Sequence, residues 1–144
     1  MFYSNNFKNL KEIQHCFFSR KNGNSKGIYE SLNCGIGSKD ESKSVYKNLE
    51  IVAKNFKINR RNLILMNQTH SNNVKIIEKE GDNIKVNADA IVTTKDNLAL
   101  GVLTADCAPI LFFETKKKII GCIHAGWKGA INGIIENTLE KIKE

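Results

Sequence analysis

The sequence predicts an α/β domain built on a mixed sheet, and three observations carry that prediction. Short apolar runs bounded by polar residues recur from Leu63 to Ile123, which is the pattern of strands. Two segments, one near residues 41–56 and one near 129–143, repeat apolar residues at helical spacing instead. The run KIIGCI passes through HAGWKG into the second of these segments, a strand–glycine turn–helix sequence that opens a crossover unit. At 144 residues the chain is read as one domain spanning 1–144.

Taken in order, IQHCFFS (13–19) reads as a strand, followed by the loop RKNGNSKG and a second loop, SLNCGIGSKD. A helix follows over about 41–56, with Asp40 as its N-cap and Val45, Leu49, Val52, Ala53 and Phe56 as its apolar stripe. The strands LILM (63–66), VKII (74–77), AIVTT (90–94) and LALGVL (98–103) come next. PILFFE (109–114) and KIIGCI (118–123) form a hairpin whose turn carries the densest basic run, Lys116–Lys118. The last helix spans about 129–143, with apolar positions Ile131, Ile134, Ile135, Leu139 and Ile142. No strand follows it, so the domain reads as incomplete at its C-terminal side.

Composition excludes several classes of function. No stretch reaches the roughly 20 apolar residues of a membrane span, and MFYSNNFKNLKEIQ lacks the apolar core of a signal peptide. A cytoplasmic chain without membrane partners is expected. None of the four cysteines, Cys16, Cys34, Cys107 and Cys122, forms a C-x-x-C pair, and each is read first as a small buried hydrophobe. The net charge of +7 is spread over scattered lysines without interleaved aromatics, which argues for a solvated basic surface rather than a nucleic-acid platform.

Three apolar strands lead into residues that bind transition metals well. LILM leads through NQT to His70, LALGVL through TAD to Cys107, and KIIGCI directly to His124. Ligands delivered from separate strand ends belong to a site assembled by the fold. Two imidazoles and a thiolate suit zinc, and three protein ligands leave a fourth position open, as in catalytic sites. Asp106, beside Cys107, is placed to orient a ligand or accept a proton. Spacing alone leaves the structural alternative open, because a histidine at a strand end is commonly hydrogen-bonded and a lone cysteine is commonly inert core. In the turn after His124, Gly126 allows close backbone approach and Lys128 brings a charge to the helix start, an arrangement suited to phosphate or equally to a tight solvated turn. Arg20 in the first loop offers a further anion contact or is simply exposed.

The blocks FSRKNGNS, SLNCGIG, NQTHSNNV, ADAIVTT, ALGVLTADCAPILF and IHAGWKGAINGII resemble, in order, those of the laccase-domain family. Its members have been described as multicopper polyphenol oxidoreductases and are understood as purine nucleoside phosphorylases. The resemblance implies an α/β layered mixed-sheet sandwich with flanking helices and a zinc site from His70, Cys107 and His124. It implies phosphorolysis of adenosine, inosine, guanosine and methylthioadenosine, with purine nucleosides and phosphate as partners, and deamination of adenosine. Arg20, Asn33 and Gln68 fall in shared blocks and are expected to line the pocket. The chain departs from the family in carrying Lys128 where arginine is usual and Asn22–Gly23–Asn24 where the family has a glycine pair. It also lacks a further glycine-proline block.

Copper-dependent phenol oxidation, which the older family name suggests, needs a multi-copper cluster, and three histidines in the whole chain cannot supply one. Two alternatives stand beside the phosphorylase: a metal-free hydrolase with Cys107 as nucleophile and a histidine base, and an inactive truncated remnant or binding module.

Overall fold

The computed structural model describes residues 1–79 and 86–143, and these form two compact units, Met1–Lys57 and Ile58–Glu144. The first unit is organised around helix α1 (Ser42–Asn55). Its buried face combines Val45, Leu49 and Ala53 with a polar residue, Asn48, which is fully buried. The Asn48 amide donates to Ser25 Oγ (2.8 Å) and to the carbonyls of Asn33 (2.8 Å) and Ser31 (3.2 Å), and its oxygen accepts the Asn24 N–H (2.7 Å). One side chain thereby fastens the loop 24–33 to the helix. Asn22, the first residue of the Asn22–Gly23–Asn24 run, holds φ 69°, a left-handed conformation that asparagine tolerates better than most residues.

Two expectations for this unit need correction. Residues 13–19 form no strand; Phe17 makes an isolated bridge with Phe2 and nothing more. An apolar run becomes a strand only where a neighbour offers a ladder, and here one residue pair does. Asp40 is not the N-cap of α1: that position is Glu41, without a side-chain cap bond. Asp40 instead accepts from the Glu41 N–H and from the Asn33 amide, and contacts with Ser25, Asn33 and Glu41 hold its carboxyl below the usual range.

Among its described residues the second unit contains six strands and two α-helices. β1 (Leu63–Leu65) and β4 (Ala99–Gly101) pair in parallel as a small sheet. β2 (Val74–Ile76), β3 (Ala90–Thr93), β5 (Ala108–Glu114) and β6 (Ile119–Ala125) form a four-stranded mixed sheet in the order β2-β3-β6-β5. β2 and β3 are parallel, while β6 runs antiparallel to both β3 and β5. The predicted hairpin is therefore present. Glu114 accepts the N–H groups of Lys116 and Lys117 at its turn, and Lys117 Nζ donates to the carbonyls of Ile142 and Lys143.

Strand alternation sorts the core into two layers. On one face, Ile91 and Cys122 pack with Leu111 against Ile64 and Leu100 of the small sheet. On the other, Ala90 and Ile123 pack with Ile110 against Ile134 of the last helix. Small sheet, large sheet and helix make the layered mixed-sheet sandwich that the sequence predicts.

The last helix is two. α2 (Trp127–Ile131) ends before Gly133, whose φ of 79° a side chain would strain, and α3 (Ile134–Lys143) starts on a new phase. The predicted stripe is therefore split. Ile134 is fully buried, together with Thr138, whose hydroxyl donates to the Ile134 carbonyl (2.7 Å). Ile131 and Leu139 are 77% and 48% exposed, in line with Trp127 at 68%. Among the described residues no helix is long and apolar enough to cross a membrane.

Candidate metal centre

Parallel pairing places the C-terminal ends of β1 and β4 side by side, so the segments leaving them run along the same edge of the unit. The first carries His70 and the second Cys107. Gln68 ties the two together: its amide nitrogen donates to the Leu103 carbonyl (2.6 Å) and its oxygen accepts the Leu103 N–H (2.9 Å). The third ligand comes from β6. His124 is the penultimate residue of that strand, not the residue after it, and it shares a face with Cys122, the face that packs toward the small sheet.

The topology thus delivers three ligands to one place. One donor atom each from His70, Cys107 and His124 lies within 4.8 Å of the others. Cys107 Sγ stands 3.8 Å from His70 Nε2, and the two imidazoles meet edge to face at 4.8 Å between centroids. Donors sharing one tetrahedral zinc at its usual bond lengths stand about 3.4 to 3.6 Å apart, so closure on an ion asks for only small side-chain movement. Burial differs among them: His124 is 3% exposed, Cys107 is half-buried and His70 is exposed, so the site opens to solvent on one side.

Gly126 lies directly behind these ligands. A Cβ there would sit 2.7 Å from His70 Cδ2, 3.3 Å from Cys107 Sγ and 3.4 Å from His124 Cε1. The close approach expected of this glycine is thus to the ligand side chains themselves. Lys128 follows in α2, with Nζ 5.4 Å over the Trp127 ring.

The residue that sequence reading missed is Asp89. Its backbone immediately precedes β3, and the β3–β6 register sets it across from His124, whose N–H donates to the Asp89 carbonyl (2.7 Å). The carboxylate is fully buried and engaged on both oxygens. Oδ1 faces His124 Nδ1 (2.8 Å) and accepts the His70 N–H (3.0 Å). Oδ2 accepts from the N–H and hydroxyl of Thr69 (3.2 Å each) and from the N–H and hydroxyl of Ser71 (2.7 Å each). Burial pushes this carboxyl up, but the bonds from His124, Ser71 and Thr69 outweigh it and hold it at about 2. No local pattern in the sequence marks this role, because the donors to its side chain lie 18 to 35 residues away along the chain.

At Cys107, burial comes first, then the charge of Asp106 and a hydrogen bond to it, then the charge of Asp89, and all raise the thiol above its ordinary value. Asp106 itself is exposed. An activated cysteine nucleophile needs the opposite environment. A cation bound by the three ligands would reverse it, because a coordinating thiol is deprotonated outright.

The remaining predicted residues have partners of their own. Arg20 and Asn33 belong to the first unit. The Arg20 guanidinium holds the Glu30 carbonyl through Nε (2.6 Å) and Nη2, while Asn33 bridges Ser38, Asp40 and the Gly35 N–H. Cys122 is core, and burial pushes its thiol up.

The family model for multi-copper polyphenol oxidoreductase laccase matches residues 14–144. A purine nucleoside phosphorylase of Corynebacterium glutamicum is 38% identical over 93% of the chain and 55% of its own length. Purine nucleoside phosphorylase YlmD of Bacillus subtilis is 32% identical over 88% of the chain and 49% of its own. The chain spans about half the length of the curated relatives it matches. Among solved structures, hypothetical protein YfiH of Bacillus licheniformis superposes with a TM-score of 0.81 at 26% identity, over 87% of the chain and 50% of its own. Protein NMB0706 of Neisseria meningitidis gives 0.77 at 34% identity, over 87% and 50%.

Proposed function

The chain belongs to the multi-copper polyphenol oxidoreductase laccase family, and on that premise we propose that it provides the zinc centre of a purine nucleoside phosphorylase. The observation that carries this reading is the convergence of His70, Cys107 and His124 within 4.8 Å. Relatives named purine nucleoside phosphorylase support the reaction class. The donor set fits zinc: two imidazoles and one thiolate, with a fourth direction left open. When bound there, zinc supplies Lewis-acid polarisation of a substrate oxygen.

The chain's own residues do the rest. Asp89 holds His124, Gly126 leaves room for the ligands to close, and Gln68 fixes the two ligand-bearing segments against each other. Asp106 is the group proposed to take up a proton beside Cys107. Lys128, with the backbone of the turn at Gly126, is the proposed phosphate contact. It is a point charge where arginine would offer a fork, so it attracts the anion without fixing its orientation. Arg20 and Asn33 are proposed pocket contacts on the strength of the family blocks alone. In phosphorolysis, phosphate oxygen bonds to C1′ of the ribose as the C1′–N9 bond breaks, giving the free base and ribose 1-phosphate. Positioning and charge stabilisation are the terms that enzymes supply to such a displacement.

The raised Cys107 thiol argues against the metal-free hydrolase. The test is turnover. Zinc-loaded chain is given adenosine, inosine, guanosine or methylthioadenosine with phosphate, and base release is followed by chromatography. Phosphate-dependent release, lost in His70→Ala, supports the reading. Release without phosphate, or none from any nucleoside, overturns it. Inosine formed from adenosine in the same assay would establish the proposed deamination.

A further inference from the structure

We infer that Asp89 is a positioning residue that sets the tautomer of His124 and, through the same carboxylate, holds the backbone of His70. This rests on the reading of the three ligands as a metal site.

The tautomer follows from donor counting. An ionised carboxylate can only accept, so the 2.8 Å contact between Asp89 Oδ1 and His124 Nδ1 requires that Nδ1 carry the proton. Nε2 is then left with its lone pair free for a metal. The strand register enforces this pairing, since Asp89 and His124 face each other across β3 and β6.

The other half of the inference concerns His70, which is exposed and sits at φ 58°, in the left-handed region that non-glycine residues seldom occupy. Three consecutive N–H groups, from Thr69, His70 and Ser71, converge on the Asp89 carboxylate. They form an anion cradle filled by a side chain of the protein itself. One buried carboxylate thus bridges the two histidine ligands.

The asymmetry of the six contacts predicts what an isosteric change does. Oδ2 takes four donors and Oδ1 takes two. In Asp89→Asn the amide oxygen is best placed toward the four donors of Thr69 and Ser71, which turns the amide nitrogen toward His124. That nitrogen donates, so His124 Nδ1 must accept, and the ring proton moves to Nε2, the atom a metal needs. An aspartate-to-asparagine change misdirects the catalytic histidine of serine proteases in the same way.

The experiment combines nitrogen NMR of the histidine rings in metal-free protein with zinc titration, on wild type and Asp89→Asn. His124 resonances are assigned by their loss in His124→Gln. The wild type is expected to show His124 as the Nδ1–H form and the variant as the Nε2–H form. Zinc affinity is expected to fall about 10- to 100-fold, the range for partners of metal-bound histidines. A wild-type His124 in the Nε2–H form overturns the inference even if the variant fails to fold. So does a folded variant with unchanged tautomer or with zinc affinity within about twofold of wild type. If wild type shows the Nδ1–H form but binds no zinc, the metal reading fails while the tautomer assignment stands.

Discussion

The rings of His70 and His124 meet edge to face, with centroids 4.8 Å apart and planes at 82°, although one residue follows the small sheet and the other lies within the large one. The Cys107 sulfur, 3.8 Å from His70 Nε2, makes the third member of this ligand set. Four consequences of this arrangement and of the fold beneath it can be measured.

Gly126→Ala is expected to reduce zinc binding while leaving most of the fold intact. The new methyl would press on all three ligands, 2.7 Å from the His70 ring at its nearest. Overpacking of this kind costs about 1–3 kcal/mol, here concentrated on the side chains that must close around the ion. Zinc titration alongside thermal melting checks it: affinity should drop about tenfold or more, the equivalent of that strain. Unchanged affinity would remove the close approach of Gly126 as a constraint.

Thiol chemistry should separate the cysteines. Cys122 is buried in the sheet, and burial pushes its thiol up, so it should resist alkylation in the native chain. Cys107 is partly accessible but also raised, with its thiolate fraction small at neutral pH and growing as pH rises. Metal-free protein should therefore alkylate slowly at Cys107 at pH 7 and faster at pH 9, and zinc should block the reaction. Peptide mass spectrometry after iodoacetamide reads both sites.

How much of this was legible from residues alone varies with the kind of interaction. His70, Cys107 and His124 could be found because ligand chemistry is written in the residue type and because each follows or ends an apolar run. Asp89 could not be assigned a role, since four of its six donors belong to the backbone and hydroxyls of Thr69 and Ser71, and no spacing rule marks them. Asn48 was hidden in the same way, as a polar residue on the apolar face of α1 whose partners lie in a distant loop. The split of the last helix was readable in principle. The Asn132–Gly133 pair is a helix stop signal, but the helical spacing on either side of it masked the change of phase.

That change of phase is itself testable. Ile134→Ala removes a fully buried side chain of α3 that packs against Ala90 of β3 and Ile123 of β6, and should cost about 2–4 kcal/mol. Leu139→Ala, which a single continuous stripe would make equally costly, should cost less than about 1 kcal/mol because Leu139 is half exposed. Urea denaturation of both variants distinguishes the two arrangements.

Acid should weaken the metal-free chain through Asp89. Its folded carboxyl at about 2 lies below the ordinary value of 3.8. The stability it contributes is therefore fully present above the unfolded value and is lost as pH falls from about 4 to about 2. The shift corresponds to roughly 2 kcal/mol. Denaturation at a series of pH values should show this loss in wild type and a flatter response over the same window in Asp89→Asn.

The central claim is that His70, Cys107 and His124 hold one metal ion, and metal content tests it most directly. Purified wild type, Cys107→Ala and His124→Gln are stripped, incubated with zinc, freed of excess and measured by elemental mass spectrometry. About one zinc per wild-type chain, and little in either variant, is the expected result for a three-ligand site. No retained zinc in wild type, equal zinc in Cys107→Ala, or selective retention of copper in competition with zinc would contradict the account.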